Sequence, residues 1–138
     1  MKLALTVFIV TIISVTTAFT QYTLTINDVT FNTATGEIEA YTNTTEKDII
    51  IPETLSGVDV ISIGRDAFRL KSLTAVILPN KLLTIGREAF SRNSLTSITI
   101  PDLVTEIEYG AFSQNDIASL TLGSSVATIG SHSFWKMN

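Results

Sequence analysis

The stretch LTIGREAFSRNSLTSITIP, residues 83–101, decides the fold. Its Ile85 and Phe90 each belong to a column. Ile63, Ile85, Ile107 and Ile129 lie 22 residues apart, and so do Phe68, Phe90, Phe112 and Phe134. Three positions before each Ile stands Val60, Leu82, Val104 or Val126. Between successive Phe residues runs an L-x-x-apolar-x-apolar stretch: Leu73/Val76/Leu78, Leu95/Ile98/Ile100 and Ile117/Leu120/Leu122. Pro79 and Pro101 close two of these, and Gly123 closes the third. A fixed period of this length predicts stacked coils, each burying its apolar side against its neighbours.

Each coil has two extended stretches. One is V-x-x-I, the other the six-residue L-x-x-V-x-L stretch. In the second, alternation turns the apolar residues inward and leaves Thr74, Ala75, Ile77, Thr96, Ser97, Thr99, Ala118, Ser119 and Thr121 outside. These nine form the candidate partner-contact face. Between the stretches lies G-x-x-A-F. Gly64, Gly86 and Gly130 are expected to allow a turn with unusual backbone angles. Ala67, Ala89 and Ala111 let neighbouring coils approach, and the four Phe rings are expected to stack inside. Asn93 and Asn115 suit the turn back into the strand. Two positions depart from the pattern. Glu108 replaces the turn glycine while Gly110 stands two residues later, and Ser133 replaces the alanine. Both read as drift on an exposed turn, the alternative being a ligand contact through Glu108.

Working outward, DIIIP (48–52) reads as the strand of an incomplete first coil. Five extra residues precede Val60, with Ser56-Gly57 as their turn. Before it, YTLTINDVTF (22–31) alternates, with a slip near Asn27-Asp28, and EIEAY (37–41) resumes after the turn signal Thr35-Gly36. A β-hairpin is expected, with Tyr22, Leu24, Ile26, Val29 and Phe31 on its apolar side. It would cap the first coil, because a bare repeat end exposes apolar surface. Asn43-Thr44-Thr45 matches a glycosylation sequon. At the start, Met1-Lys2 precedes the uncharged LALTVFIVTIISV (3–15) and the small, polar TTAFTQ. This is the layout of a secretory signal, and it falls short of the roughly 20 apolar residues of a membrane span. The expected organisation is a signal peptide over 1–20, a hairpin cap over 21–45 and a repeat solenoid over 46–138.

Composition narrows the function. The chain has no cysteine, which removes disulfides and thiolate metal sites. Its net charge is −4 and its basic residues are scattered, which disfavours nucleic acid. The lone histidine, His132, falls at a variable turn position, and no carboxylate is placed to complete a relay with its serine neighbours. Asp102, Glu106 and Glu108 are the densest acidic group, and they read as a solvated face. Trp135 either covers the end of the core or anchors a partner. No catalytic, cofactor or metal site is assigned.

ISIGRDAF (61–68), LTIGREAFSRNSLTSITIP (83–101) and VTEIEYGAFSQNDIASLTL (104–122) resemble the BspA-like leucine-rich repeats of exported surface proteins. The resemblance spans about residues 46–134. The asparagine ladder usual in leucine-rich repeats is not expected here. The resemblance implies a leucine-rich-repeat-like solenoid, mainly β with parallel strand ladders. It also implies a secreted or cell-surface location and non-catalytic adhesion to protein or glycan on host or neighbouring cells. It supplies no binding-residue motif. The alternative is a fragment or relic of a longer repeat protein with no binding role of its own. The fourth coil lacks the L-x-x-V-x-L stretch. An open edge at Ile117–Leu122 is therefore expected to cause self-association, or to be covered by chain beyond residue 138.

Overall fold

A computed structural model describes residues 20–136; the expected signal segment lies outside them, save for Thr20. Thirteen short strands and one 3-10 turn make up the described elements. They are β1 (Tyr22–Thr23), the 3-10 turn Ile26–Asp28, β2 (Val29–Asn32), β3 (Glu37–Tyr41), β4 (Asp48–Ile50), β5 (Thr54–Leu55) and β6 (Val58–Asp59). There follow β7 (Ser62–Ile63), β8 (Ala75–Ile77), β9 (Thr84–Ile85), β10 (Ser97–Thr99), β11 (Glu106–Ile107), β12 (Ser119–Thr121) and β13 (Thr128–Ile129).

The 22-residue period is the register of a parallel ladder. Ile63 pairs with Ile85, Ile85 with Ile107, and Ile107 with Ile129, giving β7-β9-β11-β13. β3 joins this ladder in parallel through Ile38 opposite Ile63, and β2 closes it antiparallel. A second ladder is built from the six-residue stretches, of which only the central three residues become strand. It falls into two parts, β1-β4-β8 and β10-β12. The insertion before Val60 folds as the β5–β6 hairpin, with positive φ at Ser56 and Gly57, as the Ser-Gly pair predicts.

The N-terminal segment differs from the expected single hairpin. β2 and β3 do pair around Thr35-Gly36, with a register shift at Thr30/Phe31. Tyr22 and Thr23, however, leave the hairpin and pair in parallel with Ile49 and Ile50 of β4. The slip near Asn27-Asp28 is the 3-10 turn, which carries the chain from one ladder to the other and leaves Ile26 exposed. Asp28 holds this crossing. Its carboxylate accepts from Thr25 N at 2.7 Å, Thr25 Oγ1 at 2.8 Å, Asn43 Nδ2 at 2.8 Å and Tyr22 Oη at 3.1 Å. The sequon asparagine thus has a structural task, since its Oδ1 also accepts from Thr45 N at 2.8 Å.

The aromatic stack has five rings, not four. Phe68, Phe90, Phe112 and Phe134 stack at centroid spacings of 5.0, 5.3 and 5.5 Å. Tyr41 continues the stack at 5.2 Å from Phe68, with its hydroxyl donating to Glu46 O at 2.9 Å. Burial is the main reason its pKa is pushed up to about 12. Backbone bonds accompany every step: Tyr41 N to Ala67 O, Phe68 N to Ala89 O, Phe90 N to Ala111 O and Phe112 N to Ser133 O, all 2.8 Å.

Asn93 and Asn115 form a two-rung asparagine ladder, contrary to the expectation that none exists. Asn115 Nδ2 donates to Phe90 O and Phe112 O at 2.9 Å, and its Oδ1 accepts from Leu95 N at 3.1 Å. Asn93 repeats this one coil earlier with Phe68 O, Phe90 O and Leu73 N. Each buried amide saturates main-chain groups that the turn leaves without a ladder partner.

The glycine expectation needs a different cause. Gly64, Gly86 and Gly130 do not have positive φ; an added Cβ at Gly86 would lie 2.7 Å from Ile63 O. Close approach between coils is what demands glycine there. Positive φ falls instead on two other columns: Asp66, Glu88, Gly110 and His132, and Leu70, Arg92, Gln114 and Lys136. In this conformation the N–H turns along the stack. Glu88 N reaches Tyr109 O at 2.9 Å and Arg92 N reaches Ser113 O at 2.9 Å. The bonds offset the cost of about 1–2 kcal/mol that an L-residue meets in the left-handed region.

Candidate functional site: a strand face and a turn-side cleft

The expected contact face sits on the second ladder. Thr74, Ile77, Thr96, Ser97, Thr99, Ala118, Ser119 and Thr121 are exposed and Ala75 is half-buried. Alternation produces this at β8 and β10, where Val76 and Ile98 between them are buried; at β12 the expectation fails, because Leu120 and Leu122, expected inward, are exposed with no further second-ladder strand described beside them. The face is not one continuous sheet. Ser94 N bonds to Leu73 O at 2.8 Å, but β8 and β10 beyond that point do not pair. A shallow cleft of about 330 Å³ lies over this seam, lined among others by Gln21, Ala75, Ile77, Asn80, Ser97 and Thr99. The face carries hydroxyls and small apolar groups and no charge among its nine residues. It offers hydrogen bonds and shape, and no group able to transfer a proton at neutral pH.

A second concavity lies where the turns stack. It has a volume of about 380 Å³ and is lined by Arg69, Glu88, Ser91, Arg92, Tyr109, Gly110, Ser113, Gln114, His132 and Trp135. The two positive-φ columns place Glu88, His132, Arg92 and Gln114 around it. His132 lies between two rings, 5.4 Å from Tyr109 and 6.2 Å from Trp135. Arg87 stands over the Tyr109 ring and Lys136 over the Trp135 ring, each at 4.9 Å. Arg69 pairs with Glu88 at 3.2 Å and with Asp66 at 3.7 Å. Sequence reading treated His132 and Trp135 separately and did not bring them into one site. The only signal was the aromatic enrichment of the last two coils.

The three acidic residues of the expected solvated face do not converge. Asp102 accepts from Ser124 N at 3.1 Å and Glu108 from Arg87 N at 3.0 Å. Each ties a backbone N–H of a neighbouring coil, so Glu108 has a structural role where drift was expected. Ser133 has one too, since its buried hydroxyl reaches carbonyl oxygens of Gly130 and Glu108. Among the described residues no group of three His, Cys, Asp or Glu could hold a metal ion.

The family model for a BspA type leucine-rich repeat region of 6 copies matches residues 61–138. The chain belongs to this family. Neither a curated protein nor a solved structure matches it. BspA-type repeats are a scaffold for binding and not typically catalytic, which agrees with the chemistry of the strand face. The matched region begins at Ile61, in the first coil with the full G-x-x-A-F turn. No helix among the described residues is long and apolar enough to cross a membrane.

Proposed function

We propose that this BspA-type chain is an exported adhesion module whose strand face binds protein or glycan on neighbouring cells without catalysis. The observation that carries the reading is the uncharged, exposed face of β8, β10 and β12, backed at β8 and β10 by buried Val76 and Ile98. The apolar, uncharged run at residues 3–15 supports export. In this reading, residues 46–138 form a solenoid, and the β2–β3 hairpin, which closes the first ladder next to β7, caps its N-terminal end.

Affinity is set by area. Three strands at about 4.8 Å, with about 13 Å exposed along each, present on the order of 200 Å². A stable interface takes about 800 Å² per partner. Binding is therefore weak for one copy and useful for many copies on a surface. The test compares the purified monomer with a bead-displayed form on extracellular matrix and on intact bacterial cells. The displayed form should be retained, the monomer washed away, and Ser97→Glu with Ser119→Glu should release the beads. No retention of the beads overturns the adhesion reading. Nanomolar binding by a verified monomer through this face overturns the weak, multivalent one.

A further inference from the structure

We infer that the turn-side cleft is a separate binding site for a carboxylate-bearing sugar. The inference rests on the reading of the chain as a binding module, but on different residues from the strand face. Three observations carry it. The first is shape: the cleft of about 380 Å³ is large enough for one or two sugar rings and is open to solvent. The second is charge. On a chain of net charge −4, the lining holds two arginines, Arg69 and Arg92, against one carboxylate, Glu88. Arg87 and Lys136, outside the lining, sit over the Tyr109 and Trp135 rings, and Asp66 pairs with Arg69.

The third is unused hydrogen-bonding capacity. Arg92 makes no ion pair among the described residues, and its guanidinium is a planar donor fork suited to a carboxylate. Arg69 is committed to Glu88 and Asp66, at 3.2 and 3.7 Å, so Arg92 is the lining arginine left to meet a ligand. Tyr109 and Trp135 remain 43 % and 48 % exposed, whereas Phe112 is fully buried and Phe134 half-buried in the same coils. Sugar C–H faces pack on such rings, while ring hydroxyls meet Gln114 and the turn backbone. An acidic peptide shares the charge but lacks the flat faces, so the sugar is the better fit.

Trp135 is the only tryptophan, so its fluorescence reports this cleft alone. The full chain is titrated with a hyaluronan tetrasaccharide as the uronate probe and sialyllactose as the sialate probe. Lactose, inorganic phosphate and an Asp/Glu hexapeptide serve as comparisons. A saturable change with one or both acidic sugars is expected, and which one responds identifies the acid's source. Arg92→Asn, which tolerates the left-handed backbone, should weaken it at least tenfold. Ser97→Glu on the strand face should leave it unchanged. Equal response to lactose or phosphate, response to the peptide alone, no response, or an unaltered titration in Arg92→Asn would overturn the proposal. Because cell and matrix retention is measured through the strand face, failure here leaves that reading standing, and the reverse also holds.

Discussion

Ser133 and Glu108, the two departures from the repeat, are joined across the last two coils. Ser133 Oγ lies 2.8 Å from Glu108 O and 2.6 Å from Gly130 O. Where the first three coils carry glycine or glutamate followed by alanine, the fourth carries a hydroxyl that bonds to the coil before it. Ser133→Ala should destabilise the chain by about 0.5–1.5 kcal/mol, the net worth of one hydrogen bond. Urea unfolding of the two proteins measures this, and an unchanged midpoint refutes it.

Phe90 has a ring on either side, at 5.0 and 5.3 Å, and is fully buried. Phe90→Ala removes the middle of the stack and leaves a cavity that coils locked by backbone bonds cannot close. A loss of about 3–5 kcal/mol is expected in denaturant melts. A loss below about 1 kcal/mol would show that the coils collapse around the gap.

Asn115→Ala leaves the carbonyls of Phe90 and Phe112 and the Leu95 N–H without their amide partner. The expected cost is about 2–4 kcal/mol, more than an average hydrogen bond, because buried main-chain groups lose a partner that water cannot replace. Amide exchange at Leu95 should quicken more than at Ile63, two coils away. Equal quickening would mean that the whole stack opens together.

Asp28 gives the stability a pH dependence. Burial pushes its carboxyl up, but hydrogen bonds from Thr25 N–H, Asn43, Thr25 Oγ1 and Tyr22 outweigh this and hold it below its ordinary value of 3.8. A depressed folded pKa contributes stability that is complete above the unfolded value and lost as pH falls through the folded one. Thermal unfolding should therefore drop below about pH 4, and Asp28→Asn should flatten that drop. A mutant with the same acid limb as the parent would remove Asp28 as its source.

The last described coil predicts association. Ile129 is 46 % exposed at the position where Ile107 is fully buried, and Leu120 and Leu122 on the neighbouring ladder are exposed as well. β12 and β13 end their ladders among the described residues. Such edges recruit strands. Light scattering of the purified chain should show a concentration-dependent rise in mass, abolished by a designed capping coil. A monodisperse monomer at high concentration, unchanged by the coil, would rule this out.

The columns of Ile63 and Phe68 were legible because each coil repeats them at one spacing, and ladder register is that spacing. Tyr41 escaped because the step from Tyr41 to Phe68 is 27 residues and the ring changes type. The parallel pairing of Tyr22 with Ile49 escaped because an alternating strand does not state its partner. The asparagine ladder was hidden by Lys71, which holds the equivalent position in the first full coil and breaks the column after two rungs. The outward residues of β8 and β10 followed from alternation, but at β12 Leu120 is exposed as well, because no further second-ladder strand is described beside it. The cleft did not follow from alternation, because left-handed turn positions accept Asp66, Glu88, Gly110 and His132 alike and so look like unconstrained loop.

The gap between β8 and β10 has a mechanical consequence. Ladder bonds run from coil to coil, so traction along the stack loads them in series, and the junction with fewest bonds yields first. That junction is held by Ser94 N to Leu73 O, the Asn93 amide, the turn-side bonds and the β7–β9 pairing, without strand pairing in the second ladder. The β11–β13 junction also lacks second-ladder pairing among the described residues, so under tension the chain should part at these two junctions before the others. Each 22-residue coil drawn out afterwards would release roughly 75 Å of extended chain. A stack built this way should lengthen stepwise under tension, one coil at a time.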